Sequence, residues 1–513
     1  MTPEWGWNRM LNVLKKSALF FSTLLILGAG LSEAWAGTAT IDATTTDQYI
    51  RGFGACSAWH ENTYSSQLAT WYWDDTGMTG NNPNGIGLSM LRCHIPYTNS
   101  VGASGGTGIS DSGEIAVMKQ AVGMGVTQVW LTEWAPPASY RPSGSSWGSS
   151  NNTFTGAATA PANAADTGYA GYLTNYIQYV NSQLASTGVK VLAISPQNEP
   201  DWNPTYESAL WTAGQFDVFA GSLYSALQTA GLNTKIMIPE SFADNKTLAA
   251  TAMDDATVAP EIGVIGNHLY GLNGATPYSL SGAGFTHLTN QESWETEMSD
   301  VSGAANDTSI TSGLQVASWV QQCVVDASMN AYHAWWLYPT GSTNEALIGT
   351  DNQSTKKLWC LGNWSRFVRP GYYRMGATVS PSAGVSLSAF KSDDSSSPAT
   401  VVIVAINKNT SATSTTFNLS GFSVSSVTPW VTDSSNNLTK QTAVAVSGNS
   451  FTYNLNAQSV ISFVASVTGG GGPTSTPTLT PTPVVQSTWR VNAGGPAYND
   501  SQGHAWVADE NYT

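Results

Sequence analysis

Two acidic residues, Glu199 and Glu297, carry the strongest chemical signal in this sequence. Glu199 lies in Ile194-Ser-Pro-Gln-Asn-Glu-Pro-Asp-Trp202, directly after the apolar run from Val189 to Ile194. A short apolar run of this kind reads as a buried parallel strand, which places Asn198 and Glu199 at its C-terminal end. Glu297 closes a second run, Glu292-Ser-Trp-Glu-Thr-Glu297, 98 positions (297 less 199) further on. That interval equals three βα units of about 33 residues, and a (β/α)8 barrel of about 250 residues averages about 31 per unit. The two carboxylates then end the fourth and seventh strands and face each other across a barrel mouth, where such folds build their active sites. A pair of carboxylates flanking a bond is what glycoside hydrolysis requires, about 5–5.5 Å apart for retention of configuration and wider for inversion. Strand alternation puts Glu295 on the same face as Glu297. Glu297 is the preferred partner because it lies nearer the mouth, which leaves Glu292 and Glu295 as polar groups at the strand start or in a barrel layer.

Other residues fit the same plan. Arg92 ends the apolar run Leu88-Ser-Met-Leu-Arg92, where a buried guanidinium needs a carboxylate partner and can hold a catalytic Glu ionised. The competing reading is a structural ion pair inside the barrel. His268 and Tyr270 end the sixth strand in Asn-His-Leu-Tyr, where His268 stands beside Glu297 and can orient it. Trp134, Trp202 and the pair Trp335-Trp336 follow the third, fourth and eighth strands. Aromatic faces at a mouth stack on sugar rings, although the same residues also serve as core. Glu240 ends the fifth strand and receives no role.

The elements that must position these groups are turn-bounded apolar runs near 50–57, 88–95, 127–133, 190–195, 235–240, 262–270, 292–297 and 332–338. Amphipathic stretches alternate with them, among them 172–185 and 211–230, so the pattern predicts an α/β fold with a (β/α)8 barrel over 37–370. The Ser-, Asn-, Gly- and Ala-rich segment 141–166 reads as a long loop after the third strand. Beyond Pro370, segments 379–390, 399–407, 415–419, 426–431 and 459–467 mix Ser and Thr with Val, Phe and Ile. They predict a C-terminal antiparallel β-sandwich side domain over 371–467, into which a strand at 38–41 could pair. Segment 468–488, Gly-rich and then Pro/Thr-rich, is a linker.

Charged residues make up only 10% of the 513, the formal net charge is −15, and the basic residues form no cluster. Nucleic acid and anionic membranes are thereby excluded as partners, and the neutral, Trp- and Tyr-rich profile suits an uncharged polysaccharide. Arg9, Lys15 and Lys16, the apolar stretch 18–31 and Ala34-Trp-Ala36 form a secretory signal over 1–36 with its cleavage site. The mature protein is therefore expected outside the cell, as a monomer. Cys56, Cys93, Cys323 and Cys360 have no metal-binding spacing. Export permits Cys56–Cys93 or Cys323–Cys360 disulfides, and buried thiols are the equal alternative.

In sequence order, Gly52-Phe-Gly54, Leu91-Arg92, Gln197-Asn-Glu-Pro200, Asn267-His-Leu-Tyr270, Trp294-Glu-Thr-Glu297, Trp335-Trp336 and Trp364-Ser-Arg-Phe-Val-Arg-Pro-Gly371 resemble glycoside hydrolase family 30. The resemblance covers about residues 38–467. It implies a barrel with a side sandwich, Glu199 as acid/base, Glu297 as nucleophile, and Asn198 bonding the 2-hydroxyl of the sugar at the cleavage point. It implies no metal or cofactor. The secreted bacterial members most like this chain are xylanases, which makes a retaining endo-1,4-β-xylanase the expected activity. An endo-β-1,6-glucanase or galactanase, or a β-glycosidase, with the same machinery is the alternative, and a non-catalytic carbohydrate-binding protein ranks lower. Members that depend on glucuronate carry an Arg just after the eighth-strand Trp-Trp. The loop 337–345 holds none, and Arg141 is the substitute considered, against a solvated loop residue. Residues 489–513 resemble the opening of a malectin-like carbohydrate-binding module, cut short and expected here as a tail, because about 25 residues cannot bury a core.

Overall fold

The computed structural model describes residues 37–467 except 61, 96–111, 273–274, 303–305, 342 and 396–397, together with short strands beyond 490. The expected signal segment, the linker, and the module apart from those strands lie outside the described residues.

Eight strands close a parallel barrel: β1 (Gly52–Cys56), β2 (Met90–Ile95), β3 (Gln128–Glu133), β4 (Val191–Ser195), β5 (Lys235–Ser241), β6 (Ile262–His268), β7 (Glu292–Met298) and β8 (Ala331–Trp336). All eight lie where the apolar runs place them. Seven strands, β2 to β8, each give one residue to a buried apolar cluster: Met90, Trp130, Ala193, Met237, Val264, Trp294 and Ala331. Large and small side chains are mixed there, so the barrel is packed rather than hollow. β1 contributes Gly54 instead, where a Cβ would lie 2.4 Å from the His333 ring. That ring occupies the space and accepts a 3.0 Å hydrogen bond from Trp130 Nε1.

Helices cover the outside of the barrel. Two differ from the sequence reading in where they begin. The helix Ala164–Gln183 starts inside the segment read as loop, because Asn163 and Asp166 form a capping box that satisfies the first backbone donors. Ala213–Thr229 likewise starts from a box between Thr212 and Gln215.

The side domain is one ten-stranded sheet. It folds over so that Phe417 and Phe463, from strands far apart in the sheet order, meet with ring centroids 5.1 Å apart and tilted by 55° in a common core. Tyr373–Ala377 and Ser450–Leu455 are strands that the sequence reading missed. Conversely, 379–384 is not strand, since Pro381 and the left-handed Gly384 turn the chain there. The strand Gly37–Tyr49 joins this sheet, antiparallel to Tyr373–Ala377 and parallel to Thr413–Ser420. The sheet is therefore mixed rather than purely antiparallel. The helix Lys356–Ser365 ties the two domains together: Trp364 Nε1 donates to Ser388 Oγ at 3.2 Å, and Asn363 accepts from Ser462.

All four cysteines are buried and outside any disulfide, so neither pairing considered from the sequence forms. No helix among the described residues is long and apolar enough to cross a membrane. Val491–Asn492, Tyr498–Asn499 and Ala505–Ala508 pair with one another in a small sheet.

Candidate active site

The turn after β4 is anchored to the neighbouring strands. Asn198 N–H donates to the Glu133 carbonyl at 2.8 Å, and Glu199 N–H to the Glu240 carbonyl at 3.0 Å. Gln197 Nε2 donates to the Trp134 carbonyl at 2.6 Å. Glu199 (φ 47°), Glu240 (φ 56°) and Trp59 (φ 59°) all hold left-handed backbone. For side-chain-bearing residues this conformation is costly and concentrates at functional sites.

These anchors bring Glu199 and Glu297 together. One carboxylate oxygen of each and a ring nitrogen of His268 lie within 4.8 Å of one another. Arg92, fully buried, binds the group from below. Its Nη1 lies 2.5 Å from Glu297 Oε2, its Nη2 2.6 Å from Asn198 Oδ1 and 2.9 Å from Glu240 Oε1, and its Nε donates to the same Glu240 oxygen at 3.1 Å. The guanidinium carbon sits 4.6 Å from the Trp134 ring centroid. Burial opposes the charge on Arg92, but Glu240 and Glu297 outweigh it and raise its pKa. Glu240, without a role on sequence grounds, is the second carboxylate of this clamp. Burial pushes its pKa up, yet Arg92 and His268 hold it below the usual glutamate value.

His268 faces a different partner from the one expected. Its Nδ1 is 3.0 Å from Glu199 Oε1, whereas Nε2 stands 3.7 Å from Glu240 and 3.9 Å from Glu297. It therefore orients Glu199 rather than Glu297. Burial disfavours its charge, but the surrounding carboxylates, Glu297 foremost, push it up to about 10, so the ring is a cation at neutral pH. Glu199 is raised above the ordinary glutamate value, chiefly by burial and further by the charge of Glu297, against the opposing hydrogen bond and charge of His268. Tyr270 Oη donates to Glu297 Oε1 at 3.2 Å and also contacts Ser299 Oγ at 3.0 Å.

Glu295 does not share the surroundings of Glu297. β7 slips register against β6 between the two residues, and against β8 between Glu295 and Met298. The slip overrides the simple alternation that put both on one face. Glu297 lines the mouth, whereas Glu295 is fully buried near Cys323 and Tyr332 and accepts the Glu297 N–H at 3.1 Å.

Above the carboxylates opens a cavity of about 820 Å³. Trp134, Trp202, Tyr270, Trp335 and Trp336 line it, together with Trp59, Tyr206, Phe242 and Glu345, which sequence reasoning missed. Trp202 is 42% exposed and stacks on Phe242 at 4.6 Å, presenting an open face, while Trp335 and Trp336 stack on each other at 5.0 Å. Trp134 is 1% exposed and serves mainly as the platform for Arg92. Trp59 and Phe242 each lie within three residues of a barrel strand's C-terminal end, a positional signal that could have found them. Tyr206 and Glu345 sit in loops without such a signal. Arg141 does not reach the cavity lining; it donates to the Pro136 carbonyl and to Asn152 and lies over the Trp147 ring within its own loop.

Paired carboxylates at the mouth of a (β/α)8 barrel, under an aromatic-walled cavity, define a glycosidase. The model of O-glycosyl hydrolase family 30 matches residues 98–257. A glucuronoxylanase of Bacillus subtilis (strain 168) is 31% identical over 450 residues, covering 86% of this chain and 94% of the relative. Among solved structures, a family 30 subfamily 8 xylanase of Clostridium acetobutylicum matches with a TM-score of 0.69 and 29% identity, over 84% of this chain and 99% of that one. A family 30 endoxylanase of Clostridium papyrosolvens matches with a TM-score of 0.69 and 30% identity, over 84% and 100%. This chain belongs to glycoside hydrolase family 30.

Proposed function

We propose that this protein is a secreted, monomeric, retaining endo-1,4-β-xylanase in which Glu297 is the nucleophile and Glu199 the acid/base. The observation that carries the reading is the closeness of the two carboxylates, with oxygens within 4.8 Å. Retaining glycosidases hold their carboxyls about 5–5.5 Å apart, and inverting ones leave about 6.5–9.5 Å for a water. Glu297, held by Arg92 and Tyr270, attacks the anomeric carbon while protonated Glu199 donates to the leaving oxygen. Burial keeps that proton on Glu199 until it is used. Once the glycosyl-enzyme forms, Glu199 takes a proton from water, which attacks the same carbon and releases the sugar. Asn198, fixed by Arg92, presents its amide to the 2-hydroxyl. Xylan as substrate is supported by the xylanases and glucuronoxylanase that the chain resembles. Secretion is supported by the signal features of residues 1–36, whose expected cleavage leaves Gly37, the first residue of a strand, as the new N-terminus.

Digestion of linear xylan, glucuronoxylan and a β-1,6-glucan, followed by NMR of the first products, tests the reading. Xylo-oligosaccharides released initially as the β-anomer are expected. Initial α-anomer refutes retention, and cleavage of the β-1,6-glucan with both xylans untouched replaces xylanase by the β-1,6-specific alternative.

A further inference from the structure

The charge of the cavity wall is one-sided. Among the described residues its lining includes three carboxylates, Glu199, Glu297 and Glu345, and no Lys, Arg or His. The cations beneath the wall are committed elsewhere: Arg92 to Glu240, Glu297 and Asn198, and His268 to Glu199, both with no exposed surface. Lys357, the cation that acts on Glu345, is 3% exposed and donates to the carbonyl and side-chain oxygens of Asn344. Glu199 and Glu297 belong to the reaction, but Glu345 does not. It follows β8 and shares the cavity lining with Trp335, Tyr206 and Tyr270.

We propose that Glu345 is a specificity-determining residue that makes this cavity select uncharged glycan: unsubstituted or neutrally branched xylan enters, and a uronate side group at the cavity is rejected. The inference rests on the xylanase reading above and deepens it. A substrate carboxylate seated beside Glu345 is left without a counter-ion in a partly desolvated site. Like charges about 7 Å apart at an effective dielectric between about 40 and 80 lower binding by about three- to eightfold. A neutral branch meets the same oxygens as hydrogen-bond acceptors for its hydroxyls, so the wall that excludes one substituent accommodates the other.

The test compares kcat/KM on glucuronoxylan with kcat/KM on the same polymer after its carboxyl groups are reduced to alcohols, which removes charge while keeping branch size. Linear xylan serves as control. The wild-type protein is expected to prefer the reduced polymer about three- to eightfold. Added salt should shrink that preference by screening, and E345Q should bring it close to one. A wild-type preference for the native polymer overturns the proposal, as does a ratio unmoved by both E345Q and salt. The salt series on the wild type decides the matter even if the variant folds poorly. No cleavage of linear xylan overturns the xylanase reading and takes the inference with it, whereas brisk cleavage of linear xylan with equal rates on the branched pair removes the inference alone.

Discussion

Replacing Arg92 by lysine keeps the buried positive charge and deletes the planar fork. The native guanidinium reaches three side chains through three nitrogens: Glu297 at 2.5 Å, Asn198 at 2.6 Å, and Glu240 at 2.9 and 3.1 Å. An ammonium donates from a single point and cannot follow those diverging directions. Two of the contacts are lost, and at about 1.5 kcal/mol for each hydrogen bond to a charged group the variant is destabilised by about 3 kcal/mol. The catalytic consequence is larger, because Asn198 loses its tie and Glu297 its fixed direction. A misplacement of about 1 Å at the reacting centre costs about 100-fold. Steady-state kinetics on an aryl β-xylobioside, with thermal unfolding followed by circular dichroism, reads both effects. The expected result is kcat lower by about two orders of magnitude, KM within about threefold, and a melting temperature several degrees lower. A variant that melts early yet keeps kcat within about threefold of wild type would show Arg92 to be only a structural ion pair, and the positioning argument would fail.

Two further outcomes follow from the same geometry. Glu199→Ala should slow xylan hydrolysis by about 10²- to 10⁴-fold, and glycosides of dinitrophenol, which leave without a proton, should suffer far less. Added azide should restore turnover and give the β-glycosyl azide, while an α-azide or equal losses on both substrates would reassign the acid. In His268→Gln, the imidazolium charge that lowers Glu199 disappears, leaving Arg92 as the remaining charge that opposes burial and Glu297. Glu199 then stays protonated to higher pH, so the alkaline limb of kcat/KM should move upward. A limb that stays in place or moves down contradicts the assignment.

The meeting of Glu199 and Glu297 at one barrel mouth was legible because each carboxylate follows an apolar run whose length and hydropathy mark a buried strand, and because βα units repeat at a steady interval. Arg92 was legible for a related reason, as a charge at the end of a run that must be buried. Glu240 ends β5 in the same way, but nothing in the sequence shows that Arg92 has a second carboxylate to hold. The partner of His268 depends on how β6 is rotated in the barrel, and the separation of Glu295 from Glu297 depends on a register slip in β7; neither leaves a mark on residue types. Trp59 owes its place at the mouth to left-handed backbone, and Tyr206 and Glu345 to loops whose course is set by contacts distant in sequence. The strand Tyr373–Ala377 escaped notice because its five residues form too short a pattern beside the Gly371 turn.

The strand Gly37–Tyr49 belongs to the catalytic barrel by sequence and to the side domain by pairing. It precedes every other described strand in the chain and must wait for Tyr373–Ala377 and Thr413–Ser420 before either edge is satisfied. A barrel cut off near residue 370 would present thirteen residues with two open edges, an invitation to aggregate. The first and last thirds of the chain are thus stitched into one cooperative unit. Recombination in evolution can move this catalytic barrel into a new protein only by moving the side sheet with it.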